Sequence, residues 1–126
     1  MYALSLYDSN NLICSIEIGI FIYNIYYKKN VHYIYMKIYY PYKSDKAEKK
    51  YYIITNTNKK IYFGAAGYED FTITKDEEQK KRYIARHKKN EDWNDINTAG
   101  FWSYHYLWHF PTKKEAYENI KKNYIN

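Results

Sequence analysis

His87, Asp92, Asp95, His105 and His109 are the side chains of this sequence best suited to ligating a metal, and His105 and His109 stand four apart, on one face of any helix that carries them. No HExxH pattern accompanies them, and the two aspartates lie in a polar segment that does not fix their direction. Histidines beside Trp102 and Trp108 read as packing residues, so neither a metal centre nor a cofactor is expected. Arg86-His87 through Asn94 lacks the ligand spacing of a His-Asn-His nuclease. Gly64 and Gly67 bracket Ala65-Ala66, but a phosphate loop needs more glycine and a following helix. These glycines predict a positive φ or a close approach to another element instead. No acid, base and nucleophile can be named together, and no enzyme is expected.

Phosphate recognition is the second chemistry to consider. Lys81, Arg82, Arg86, Lys88 and Lys89, with Tyr83 among them, fall roughly along one side of a helix and could follow a nucleic-acid backbone. Asp76-Glu77-Glu78 and Glu91-Asp92 flank this stripe and partly cancel it through pairs four residues apart. A nucleic-acid role requires the stripe to be continuous with Lys28, Lys29, Lys49 and Lys50.

Protein contact is the third. Tyr68, Phe71, Trp93, Phe101, Trp102 and Trp108 are candidate interface residues, because aromatic side chains and arginine dominate binding hot spots. At least two of the three tryptophans are expected to fill the core, with their indole N–H groups finding partners near its rim.

The chain that positions these groups has 126 residues, enough for a single domain with one core. Nineteen tyrosines, with abundant Ile, Asn and Lys, point to an AT-rich coding sequence and caution against giving each ring a role. The single cysteine, Cys14, excludes an intramolecular disulfide and reads as apolar filler. The net charge of +6 is uneven: residues 28–50 hold seven lysines against two acids, whereas residues 1–27 hold two acids and no base. Such an excess favours phosphate or acidic protein surfaces as partners. The apolar run Asn11 to Tyr27 is broken by Glu17 and Asn24 and falls short of the roughly 20 apolar residues of a membrane span, so no span is expected. Nor does the start, with Asp8 where a basic region would lie, read as a signal peptide.

Ile16, Ile18, Ile20 and Ile22 recur at period two, which predicts a strand within 12–27, part of a meander with strands at 3–7 and Val31–Tyr40 that Pro41 ends. Lys43–Lys50 reads as a polar connection. Tyr51–Thr55 and Lys60–Gly64 flank Asn56-Thr57-Asn58-Lys59 and predict a hairpin. Thr74 with Glu77 predicts a capping box and a helix over about 75–89; Thr98 and Pro111-Thr112 predict two more, the last turning Ala116, Tyr117, Ile120 and Tyr124 inward. The expected class is α+β, with N-terminal antiparallel strands and hairpins followed by about three short C-terminal helices. Residues 1–126 form one domain in this reading, a Tyr/Ile-rich strand extension over 1–50 and a core over 51–126.

Within that core, Tyr62-Phe63-Gly64-Ala65-Ala66-Gly67-Tyr68-Glu69-Asp70-Phe71-Thr72-Ile73, Lys75-Asp76-Glu77-Glu78, Arg82-Tyr83-Ile84-Ala85-Arg86-His87-Lys88-Lys89-Asn90-Glu91, Trp93-Asn94-Asp95 and Thr98-Ala99-Gly100-Phe101-Trp102-Ser103, with Leu107-Trp108 and Pro111-Thr112, form a specific set. Over about residues 51–120 the chain resembles a small uncharacterised family of large double-stranded DNA viruses of algae and protists. The resemblance implies a viral setting and no established reaction. It raises the expectation of a virion component, a minor capsid or cement protein assembled in the host cytoplasm and contacting other capsid proteins. The alternative is a small basic protein bound to the viral genome.

Overall fold

A computed structural model describes residues 19–26 and 36–125. The chain divides into two compact units, Met1–Met36 and Lys37–Asn126. In the first, residues 19–26 form a helix, α1, and all eight are exposed. This corrects the expected strand. The run is apolar at both parities, Phe21 and Tyr23 as well as Ile20 and Ile22, so its period-two isoleucines do not separate strand from helix. The strands expected at 3–7 and 12–18 lie outside the described residues, as does Val31–Tyr35, while residues 36–40 are not in a strand.

The second unit opens with a three-stranded antiparallel sheet in the order β1-β2-β3, comprising Tyr42–Lys43, Lys49–Ile54 and Lys60–Ala65. The expected hairpin is present: Thr55 N donates to Lys59 O at 2.9 Å, and the Thr55 hydroxyl accepts from the backbone of Thr57 and Lys59. Asn58 takes the left-handed conformation (φ 61°) that the turn needs and asparagine tolerates. The predicted polar connection over Lys43–Lys50 overlaps β1 at Lys43 and β2 at Lys49 and Lys50; Tyr42 pairs directly with Tyr52 and Tyr52 with Tyr62, forming a row of rings across three strands. Neighbouring centroids lie 5.7 and 5.6 Å apart, and the Lys60 and Lys46 ammoniums sit 4.5 and 4.3 Å from the Tyr52 and Tyr62 centroids. Such cross-strand aromatic pairs hold register.

Ile53 and Phe63, on the opposite face, pack with Phe101, Trp102, Leu107, Ala116 and Ile120 into the core. The helices that close over it are α2 (Phe71–Thr74), α3 (Glu77–His87), α4 (Ala99–Trp102) with a π-helical continuation over Ser103–Trp108, and α5 (Lys113–Ile120) with another over Lys121–Ile125. The class is therefore α+β, strands first. Thr98 and Thr112 cap α4 and α5 through Phe101 N and Glu115 N, as their sequence contexts predict. The first helical signal resolves differently. Lys75 sits at φ 53° and breaks the helix, so Asp70 caps α2, Asp76 caps α3 by accepting from Glu78 N and Gln79 N, and α3 ends at His87. Of the four residues predicted to turn inward on the last helix, Ala116 and Ile120 are fully buried, while Tyr117 and Tyr124 pack at the core margin.

Candidate functional site

At the end of β3 the chain turns through Gly64 (φ 75°), within the strand, and Gly67 (φ 83°), just beyond it, a conformation that side chains disfavour. A Cβ on Gly64 would lie 2.9 Å from Leu107 Cδ1, so this glycine also lets the strand end rest on the π-helical segment. Both sequence expectations for the glycine pair, positive φ and close approach, thus meet at Gly64. Between this turn, α3 and the Gly100 end of α4 lies a cleft of about 380 Å³, with Lys49, Tyr68, Arg86 and Trp108 among its lining.

Two carboxylates brace the cleft. Asp70, 2% exposed, accepts from Lys50 Nζ at 2.7 Å, from Thr72 N at 3.0 Å and from the Thr72 hydroxyl. It thereby ties β2 to the start of α2. Glu91 accepts from His87 Nδ1 at 2.8 Å and from the Trp93 indole at 2.9 Å. Above Glu91 stands Gly100, where a Cβ would come within 2.8 Å of the carboxylate. Gly100→Ala is therefore expected to push Glu91 off its two donors, a loss of about 1–2 kcal/mol in urea denaturation. Loss of the His87–Glu91 contact would appear as a moved His87 ring resonance.

Aromatic faces line the inner wall. The Tyr83 ring stacks on His87 at 4.3 Å and on Trp108 at 4.4 Å, and burial pushes its phenol pKa upward. Outside the cleft lining, Trp93 stacks on Tyr104 at 3.8 Å. With Asp70 and Glu91 already paired, Tyr68, Glu69, Arg86 and Lys49 remain at the cleft to meet an incoming molecule; among the described residues none of Glu69, Arg86 and Lys49 forms an ion pair. A phenol, a guanidinium and an ammonium beside stacked rings suit contact with carboxylates or backbone carbonyls of a partner chain.

The structure separates the candidates that the sequence groups together. Tyr68 is 75% exposed at the cleft, and Trp108 and Trp93 are half-buried. Phe71, Phe101 and Trp102 are buried and present no surface, which corrects their place among the interface residues; their packing against the core leaves no face for a partner. Of the basic stripe, Arg82, Lys88 and Lys89 are exposed, and Lys81 is paired with Glu78 at 3.1 Å. Arg86 joins Lys49 and Lys50 at the cleft. Lys28 and Lys29 lie outside the described residues. The sequence reading missed the pairing of Asp70 with Lys50 and of Glu91 with His87 and Trp93. Asp70 left a signal, an Asp two residues before a Thr at a helix start; Glu91 left one as well, standing four residues after His87 and two before Trp93, whereas Lys50 meets Asp70 from twenty residues away and left none.

Among the described residues no three His, Cys, Asp or Glu side chains gather so as to hold a metal ion. His105 and His109 instead stand in an aromatic setting with Phe101, Tyr104 and Phe110. His105 Nε2 donates to Trp93 O at 2.7 Å, and Nδ1 of both rings is buried with no hydrogen-bond partner among the described residues. Burial holds both imidazoles below their ordinary range; for His105 the Trp93 carbonyl opposes this, and for His109 the nearby His105 and Lys80 add to it. The unfolded chain then binds more protons than the native one. Stability is full above the unfolded imidazole pKa of about 6.5 and declines as pH falls from there through the depressed native values. The urea midpoint should be lower at about pH 5 than at about pH 7.5, with a smaller drop in His105→Phe. An unchanged wild-type midpoint contradicts this.

A family model described as a family of unknown function (DUF5754) matches residues 42–87, which span the sheet, the glycine turn, α2 and α3. The match begins at Tyr42 rather than at Tyr51 and ends at His87, and it includes Lys50, Gly64, Tyr68, Asp70, Tyr83 and Arg86 of the cleft. No curated protein and no solved structure matches the chain.

Proposed function

We propose that this protein is a structural component of a large double-stranded DNA virus particle, a minor capsid or cement protein that acts through protein–protein contacts at the cleft. The observation that carries the contact reading is the gathering of Tyr68, Trp108, Tyr83 and Arg86 around one opening, since Tyr, Trp and Arg are the residue types that dominate hot spots. The viral setting rests on the resemblance over residues 51–120. The partner is another virion protein that offers acidic side chains or backbone carbonyls to Arg86, Lys49 and the Tyr68 hydroxyl.

Quantitative mass spectrometry of purified particles, with the shell separated from the nuclease-treated genome fraction, tests this reading. The expected result is a shell-retained protein at a fixed ratio to the major coat protein. Absence from particles overturns it. Because Tyr68 is largely exposed, Tyr68→Ala should change stability by no more than about 0.5 kcal/mol. As a hot-spot truncation it should weaken incorporation about tenfold or more.

One observation favours a second reading, genome association: Arg82, Lys88 and Lys89 are exposed on and just after α3, and Arg86 shares the cleft with Lys49. Recovery in the genome fraction, together with DNA affinity that falls steeply with salt and less steeply in Arg82→Ala/Lys88→Ala/Lys89→Ala, would select it.

A further inference from the structure

We infer that the cleft is filled by a second copy of this chain, each copy seating its Tyr68-Glu69 tip in the other's cleft across a two-fold axis. Resting on the contact reading of the cleft, this makes a second copy the virion protein that occupies it. Tyr68 is 75% exposed and Glu69 is exposed beside it, both at the cleft. The tip is held from both sides. Ala66 N donates to Glu48 O at 3.0 Å before it, and Asp70, 2% exposed and bound to Lys50 Nζ at 2.7 Å, anchors the chain directly after it. Gly67 makes the turn between at φ 83°, and a Cβ there would meet nothing within 4 Å, so the backbone angle rather than packing calls for glycine. A ring displayed on a fixed support loses little conformational freedom when it docks.

What the cleft lacks is what the tip carries. Phe63, Leu107 and Trp108 give its lining apolar surface, and its volume of about 380 Å³ lies near the small end of binding pockets, about 300–1,000 Å³, with room for an inserted ring. Its charges have both signs. Arg86 and Lys49 are exposed cations, Glu69 is an exposed carboxylate, and none of the three forms an ion pair among the described residues. A wholly anionic occupant such as a phosphate chain is attracted by Arg86 and Lys49 but repelled by Glu69. A second copy turned through a two-fold axis presents both signs in reverse: its Glu69 meets Arg86, with Lys49 close by, while its Arg86 meets Glu69. Such self-complementarity is what an isologous interface requires. Tyr68, mostly exposed, leaves its own cleft open to receive the partner's ring.

The test is equilibrium sedimentation of the full chain over about 1–100 μM, the range of a reversible contact of modest area. Wild type should pass from monomer to dimer across it, and added salt should favour the monomer. Tyr68→Ala should raise the dimer dissociation constant about a hundredfold, a hot-spot loss of about tenfold taken twice per dimer. Glu69→Arg and Arg86→Glu should each stay monomeric, because like charges then face each other at both contacts. Mixed in equal amounts, these two variants should dimerise with each other, since both contacts then join opposite charges again. Urea midpoints of the variants at low concentration should match wild type, all three positions being exposed. Wild type that stays monomeric throughout, or a dimer that Tyr68→Ala leaves as tight, overturns the inference. A mixture that stays monomeric overturns the Glu69–Arg86 exchange. Particle incorporation tells this failure from failure of the contact reading. If the wild type is monomeric and Tyr68→Ala is lost from particles, the cleft belongs to a different virion protein; if it is monomeric and Tyr68→Ala is retained, the contact reading falls as well.

Discussion

Trp102→Ala should lower the unfolding free energy by about 3–5 kcal/mol, the range for removing a large buried aromatic side chain and leaving a cavity behind. The indole is fully buried, with the Phe101 and Phe63 rings 5.7 and 5.9 Å away, and it donates to Ile96 O at 2.8 Å. Truncation therefore removes ring contacts on two sides and strips a donor from a carbonyl in the loop before α4. A domain of this size is typically stable by about 5–15 kcal/mol, so the loss should be plain in a urea titration. Trp102→Phe, which keeps most of the volume and loses only the N–H, should recover more than half of it. Unchanged stability in Trp102→Ala would contradict the core position. Unchanged stability together with failed particle incorporation would return this residue to an interface.

Asp70→Ala should cost about 3 kcal/mol, because it breaks a shielded ion pair and removes a helix cap in one step. The Asp70 side chain is 3% exposed and that of Lys50 18%, so the ammonium left behind keeps little access to water. The Thr72 amide and hydroxyl lose their acceptor at the same time. Lys50→Met should cost less, since Asp70 retains both Thr72 donors and the methylene stem still packs beside Gly64. Chemical denaturation of the two variants checks the ranking. If Lys50→Met proves the more damaging, the ion pair rather than the cap dominates at this corner.

The hairpin, the class and two of the helix starts were legible in the chain because each rests on local chemistry. Asn56-Thr57-Asn58-Lys59 supplies a turn wherever it occurs, and Thr98 and Thr112 meet the amides of Phe101 and Glu115 from three residues away. The Thr74 signal misled because two caps compete within seven residues: Asp70 and Asp76 each accept backbone N–H groups, and Lys75 takes the positive φ that parts their helices. No local rule ranks such neighbours. The N-terminal isoleucines misled for another reason, since an apolar run with both parities filled fits either period.

What the sequence by itself determined is the set of local devices: the hairpin turn, the caps at Thr98 and Thr112, the glycine pair with positive φ, and the lysine excess that follows the apolar run. What only the tertiary structure decided is which side chains meet. Phe101 and Trp102 went inward while Tyr68 stayed at the surface, and Lys50 found Asp70 twenty residues away. His105 faced the Trp93 carbonyl, twelve residues away. The physical reason is that caps and turns are settled by groups within about four residues of one another. Burial and ion pairing depend on the π-helical phase of Ser103–Trp108 and on the approach of β3 to Leu107, distances that no single segment contains.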